Sequence, residues 1–284
     1  MESKSIADPA DELRNSLRSM WGSVAPGWRA HADFIDKRGA ELTRRMLEAA
    51  RPQPAERALE LACGPGSVGI AAAPLVAEIV ISDVAPEMTE IAAERAAARG
   101  LSNVRTRALD MEAIDAPDAT FDVVLCREGL MLVSDPARAA GEIRRVLRPE
   151  GRAAISVWGA RGRNPWLGVV FDAVSEEVGA PIPPAGLPGP FSLDDAERFA
   201  AVLEGAGLRE VSVTEVEVPL LAASFDEWWS RTAALAGPMA AMVAGLPENA
   251  RQSLLERLQN AAAPYATANG LEFPGVVLLA GARR

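Results

Sequence analysis

Short apolar runs alternate along this chain with longer stretches whose apolar residues recur at helical spacing. The runs at 57–61, 77–85, 103–112, 121–126, 152–158, 208–218 and 275–282 read as strands. Between them, 86–99 carries a helical pattern that opens on Pro86 and meets a stop at Gly100. A second pattern, 191–207, has Ser192 placed to cap it and Gly205 or Gly207 to end it. Strands separated by helices in this way predict a parallel sheet covered on both faces. Ahead of the first run, 13–46 is amphipathic, is expected to break at Pro26, and concentrates Trp21, Trp28, His31 and Phe34. The proline-rich stretch 179–190 excludes a helix and reads as a rim.

The first run ends in a glycine-rich turn, Glu60-Leu-Ala-Cys-Gly-Pro-Gly66, followed by a helical stretch. Gly64 and Gly66 lack a Cβ, so the turn can adopt unusual dihedrals and a ligand can approach the backbone. The helix start beyond it offers free N–H groups to an anionic or polar ligand end. The spacing Gly64-x-Gly66-x-x-Gly69 also fits the dinucleotide fingerprint, which alone decides little. More telling are the strand ends. Glu60, Asp83 and Asp110 fall at or near the C-terminal ends of three successive strands, where open parallel sheets bind ligands.

That turn, the acidic strand end within 81–88, Leu109-Asp110-Met111, the run from Phe121 to Glu128 and the turn from Val146 to Gly151 together resemble class I S-adenosylmethionine-dependent methyltransferases. Within them the resemblance is to the ubiquinone/menaquinone-biosynthesis-like group of small-molecule enzymes. It implies an α/β fold with a Rossmann-like, doubly wound, seven-stranded and mostly parallel sheet whose last strand is antiparallel. It also implies S-adenosyl-L-methionine as cofactor, S-adenosyl-L-homocysteine as product, and methyl transfer to an oxygen, nitrogen or carbon of a small-molecule acceptor. Carried over, Gly64 and Gly66 hold the methionine part, Asp83 the ribose hydroxyls and Asp110 the adenine amine. Glu60, Ala62, Val84, Met88, Met111 and Arg127 complete the implied cofactor site.

In this group the last two strands usually form a direct hairpin, so the segment between them reads as an insertion. The expected division is a helical lead-in and lid at 1–50, a cofactor-binding core at 51–223 and 271–284, and an inserted helical lid at 224–270 carrying Trp228, Trp229, Met239, Met242 and Tyr265.

A carboxylate accepts from two donors at once, which suits Asp83 to a vicinal diol; a turn or cap role after a strand is the plainer alternative for Asp83 and Asp110. Met111, Ile114 and Leu130 serve either as walls for an adenine ring or as core. Methyl transfer from a sulfonium needs alignment above all, and a general base is optional. His31, the single histidine, and Asp33 are candidate bases, with a structural or solvent-facing role as the alternative. Arg127 is a candidate catalytic residue: Arg127 and Glu128 could orient a polar acceptor or pair with lid residues. Quinone methyltransferases commonly carry an arginine-asparagine pair near this point, and the glutamate here puts a quinone acceptor in doubt. Trp158, Trp166, Trp228 and Trp229 could wall an aromatic or hydrophobic acceptor or fill the core.

Composition narrows the partners. A net charge of −10 over 284 residues argues against a broad phosphate-binding face and hence against nucleic acid. No apolar run reaches the ~20 residues of a membrane span, and the first residues lack an apolar signal core, so a cytoplasmic location is expected. Cys63 and Cys126 fall at the ends of strands that neighbour each other in this fold, and read as reduced apolar side chains; with one histidine they form no convincing metal set. A homodimer is compatible with the sequence. Two rival readings stay open: a non-catalytic S-adenosylmethionine-binding regulatory protein and a nicotinamide-dependent oxidoreductase.

Overall fold

The computed structural model describes residues 9–184, 187–236, 242–243 and 245–284. Strands β1 (Arg57–Leu61), β2 (Glu78–Asp83), β3 (Val104–Ala108), β4 (Phe121–Arg127), β5 (Leu147–Trp158), β6 (Arg209–Glu217) and, after three short strands, β10 (Val276–Arg283) form one sheet in the order β3-β2-β1-β4-β5-β10-β6. β1 to β5 run parallel to one another, and β10 is antiparallel to both β5 and β6. The expected fold class is the observed one. The sequence reason is burial: β1, β2 and β4 are covered on both faces and are nearly continuous apolar runs. The edge strands β3 and β6 carry their charges outward instead.

Helices α4 (Ser67–Ala72), α5 (Pro86–Ala98), α6 (Pro136–Val146), α7 (Pro165–Val178) and α8 (Ala196–Gly205) connect the strands. Proline opens α5, α6 and α7, where its missing N–H costs nothing. Helix α8 corrects the expected cap: Asp195 accepts the Arg198 N–H at 2.8 Å, whereas the Ser192 hydroxyl donates to the Met131 carbonyl.

The lead-in forms α1 (Pro9–Ala30), α2 (Ala32–Arg38) and α3 (Ala40–Ala50). Contrary to expectation, α1 runs through Pro26 and the break falls at His31, whose φ of −108° and ψ of 14° leave the helical region. Trp21, Val24, Ala25 and Trp28 pack on Ala85, Met88 and Ile91, and that burial outweighs a proline cost of about 3 kcal/mol in a helix interior.

The segment before β10 is not purely helical. It holds α9 (Phe225–Leu235) and α10 (Glu248–Ala262), and its short strand β9 (Gly270–Phe273) pairs antiparallel with both β8 (Ala266–Thr267) and β7 (Leu220–Ala222), in the order β7-β9-β8. Trp228 is fully buried between Phe225 and Phe273, and Tyr265 stacks on Phe273. These aromatics are the core of the added layer. Met239 lies outside the described residues. No described helix is long and apolar enough to cross a membrane.

Candidate functional site

A cavity of about 540 Å³ opens above the C-terminal ends of β1, β2, β4 and β5, roofed by α1, α2, α9 and the proline-rich rim. Every expected cofactor residue lines it except Gly66. Gly66 has a structural reason of its own. Its φ is +81°, and a Cβ there would stand 2.8 Å from the Ala92 Cβ, so the glycine lets α4 start hard against α5. Gly64, with φ +51°, faces the cavity, and a Cβ on it would meet the Trp28 ring at 3.3 Å. Arg95 braces this turn by donating to the Pro65 carbonyl and to Asp36, both at 2.5 Å.

Asp83 ends β2 with both oxygens engaged by backbone: Oδ2 accepts from the Gly64 N–H at 2.9 Å and Oδ1 from the Ala85 N–H at 3.0 Å. These bonds fix the carboxylate's plane and leave further lone pairs for a ligand. Burial pushes its pKa up to about 6 against the pull of the same amides. Glu60 is more extreme. It is 2% exposed, its Oε2 has no hydrogen-bond partner, and burial raises its pKa to about 8 although Arg127 and the amides of Gly69 and Val68 pull it down. Oε2 lies where a Cβ on Gly69 would be 2.4 Å away, so Gly69 makes room for the carboxyl.

Asp110 and Met111 stand just beyond β3. The Asp110 Oδ1 accepts the Glu112 N–H at 2.8 Å, and Arg14 of α1 lies 3.7 Å from both the Asp110 and the Glu112 carboxylates. Glu112 is held by the backbone and hydroxyl of Ser134. Met111 lines the cavity, as do Val84 and Met88; Ile114 and Leu130 are core.

The other half of the cavity lies over β4, β5 and β10. Trp158 and Trp166 form part of its wall, and the Arg38 guanidinium sits 5.0 and 4.2 Å from their ring centroids. Arg127 donates to the Thr43 hydroxyl at 3.1 Å and packs against Gly39, where a Cβ would leave no room for it. Glu128 has a left-handed backbone, φ +59°, that turns it into the cavity from the end of β4; burial raises its pKa while Arg127 and Arg38 oppose the rise. From α9 come Arg231, over the Phe34 ring at 3.7 Å, with Thr232 and Leu235.

His31 and Asp33 are not among the lining residues. His31 stands at the α1–α2 junction, with its pKa lowered by burial and by Arg231 and raised by Glu227. Trp228 and Trp229 also stay out of the lining, whereas Arg38, Arg231 and Glu112, which the sequence did not single out, belong to it. Both cysteines are free and buried, and burial pushes the Cys126 thiol up to about 12.

A model of a methyltransferase domain matches residues 58–151, from β1 to the turn inside β5. The crystal structure of YcgJ from Bacillus subtilis superposes with a TM-score of 0.60 at 20% identity, covering 85% of this chain and 97% of that one, which shows a shared fold. Nocamycin O-methyltransferase from Saccharothrix syringae is 31% identical over 213 residues, 69% of this chain and 75% of that protein. The chain belongs to the class I S-adenosylmethionine-dependent methyltransferases. Demethylmenaquinone methyltransferase from Thermus thermophilus is 38% identical to this methyltransferase over 143 residues, 48% of this chain and 63% of the relative. Several other curated relatives are matched over about half of their length or less, 42% for YcgJ.

S-adenosylmethionine is the cofactor of this family, and the cleft of this methyltransferase fits it on its own evidence. The Glu60 carboxyl, which lines the cleft, suits an ammonium, and the fixed carboxylate of Asp83 suits a pair of hydroxyls.

Proposed function

We propose that this methyltransferase moves a methyl group from S-adenosylmethionine to a nucleophilic atom of a small-molecule acceptor, chiefly by alignment within the cavity. The observation that carries the reading is the division of that cavity. Glu60, Asp83 and Asp110 stand on the side of β1 to β3, and an apolar, tryptophan-walled space with Arg127 and Glu128 at its edge stands over β4 and β5. When bound, the cofactor supplies a methyl group on a sulfonium, already joined to a good leaving group.

The protein's share is binding, orientation and exclusion of water. Glu60 faces the ammonium of the methionine part and Gly64 allows its close approach. Asp83 accepts from the ribose hydroxyls, Asp110 from the adenine amine, and Val84, Met88 and Met111 give apolar walls. Arg127 borders both halves and holds the acceptor's polar end, with Glu128 beside it to take a proton where the nucleophile carries one. His31 does not line the cavity, and this reading gives it no part in the transfer. Holding the acceptor atom in line is worth up to roughly 7 to 11 kcal/mol of barrier. The lead-in and the 224–270 segment form the lid that chooses the acceptor. Tryptophan walls favour an aromatic or otherwise hydrophobic body.

The test is a screen of small metabolites with methyl-labelled S-adenosylmethionine, read by mass spectrometry. Label appearing in a small molecule, together with stoichiometric S-adenosylhomocysteine, is the expected result. Tight cofactor binding with no labelled product across the screen would instead favour a non-catalytic cofactor-binding protein.

A further inference from the structure

The acceptor half of the cavity holds a cation that its own surroundings do not neutralise. Arg38 ends α2 and reaches over the C-terminal end of β5, where its guanidinium lies on the faces of Trp158 and Trp166. It is partly buried and lines the cavity. Among the described residues it makes no ion pair within 4 Å, its Nε has no hydrogen-bond partner, and its one bond is a long one, from Nη2 to the Val218 carbonyl at 3.4 Å. Aromatic faces stabilise a guanidinium without using its N–H groups, so Nη1 stays available in the plane of the fork.

The charges around it do not remove the need for a partner. Arg127 and Arg231 bear on Arg38 with like charge and Glu128 with opposite charge. Burial and the two arginines prevail over Glu128, and the pKa of Arg38 falls to about 10. Arg231 spends one nitrogen on Glu227 and another on the Leu221 carbonyl, and lies on the Phe34 ring. A guanidinium held in a partly apolar cavity without a bonded carboxylate is costly unless something arrives to pair with it.

We infer that the acceptor carries a carboxylate-class oxyanion that docks on Arg38, while its apolar body lies along Trp158 and Trp166. The inference rests on the proposed methyl-transfer reading and adds to it the chemical class of the acceptor. Arg38 stands on the β5–β10 side, away from Asp83 and Asp110, so the oxyanion it receives is the acceptor's and not part of the cofactor. A charge-assisted hydrogen bond from Nη1 of a guanidinium held on two indole faces sets the distance and direction of the carboxylate, which is the orientation a transfer by alignment requires.

The experiment uses benzoate, 1-naphthoate and decanoate, each against its primary amide, titrated by calorimetry into the full chain with and without S-adenosylhomocysteine. At least one acid is expected to bind about tenfold or more tightly than its amide, the scale of one charge-assisted hydrogen bond. Arg38→Gln should abolish that preference, Arg38→Lys should keep part of it, and neither should change the affinity for S-adenosylhomocysteine. Equal binding of acid and amide, binding of no member of the panel, or a preference that survives in folded Arg38→Gln would overturn the inference. The acid-amide comparison on the unsubstituted protein needs no variant to fold. Because it is also made without S-adenosylhomocysteine, loss of cofactor binding, which would count against the methyl-transfer reading, is told apart from loss of the oxyanion subsite.

Discussion

Glu60 shows how far burial can set the behaviour of a single side chain. Its ordinary pKa is 4.5 and here it rises to about 8, so the folded protein holds the proton more tightly than the unfolded chain does. The sign follows: stability of the cofactor-free protein should fall as pH climbs from the ordinary carboxylate range towards 8. Glu60→Gln removes that slope and should raise the melting temperature relative to the parent at pH 8.5, and thermal unfolding across pH checks it. Equal slopes in the two proteins would contradict the assignment. Pairing with an ammonium needs the ionised carboxylate, so S-adenosylhomocysteine binding at pH 7 should release a proton. Calorimetry in buffers of different ionisation enthalpy measures that release, and buffer-independent heats would count against it. Asp83, with a pKa of about 6, adds a second dependence of the same direction: affinity should weaken as pH falls through 6. Both acids were legible in the sequence because each ends an apolar run beside the glycine turn. Arg38 and Arg231 were not, because they are two among 29 lysines and arginines and only the fold carries them to Trp158 and Phe34.

At the scale of elements, the roof of the site is a clasp between α1 and α9, segments about two hundred residues apart in sequence. The Trp28 indole donates to the Leu235 carbonyl at 3.3 Å, and Gly27 lets the helices touch, since a Cβ there would stand 2.2 Å from the Ala234 carbonyl oxygen. Gly27→Leu forces backbone apart at that point. It should destabilise by about 1 to 3 kcal/mol, in the range of overpacking, and speed exchange of α1 amides more than those of β1 or β4. Hydrogen exchange reads the outcome, and unchanged α1 protection would show that the clasp does not hold the roof. The sequence marked α1 by its tryptophans yet misplaced its break, because the packing that carries the helix past Pro26 comes from Met88 and Ile91, far along the chain. The α8 cap was misplaced for a local reason: Ser192 and Asp195 both have capping chemistry, and the Met131 carbonyl takes the serine hydroxyl.

For the whole molecule, the strand order places Glu60, Asp83 and Trp158 on the same C-terminal edge of the sheet, with Asp110 just beyond β3, so cofactor and acceptor halves meet at β1 and β4. That arrangement was readable from the alternation of runs, since parallel sheets with covering helices admit few topologies. The small sheet of β7, β8 and β9 was not, because its strands are only two to four residues long and carry too little pattern. If α1 and α9 close the cavity, adding S-adenosylhomocysteine should protect their amides as well as those of the glycine turn. Protection confined to the glycine turn and the loops after β2 and β3 would make the added layer a packing element.

Cofactor recognition by the acids at the strand ends is the claim on which the rest depends, and calorimetric titration of S-adenosylhomocysteine into the protein and its Asp83→Asn variant at pH 7 tests it most directly. Saturable one-site binding to the parent is expected, weakened about tenfold or more in the variant by the loss of charge-assisted hydrogen bonds. A folded parent that gives no heat with S-adenosylhomocysteine, binds NAD in its place, or binds no more tightly than Asp83→Asn would contradict it.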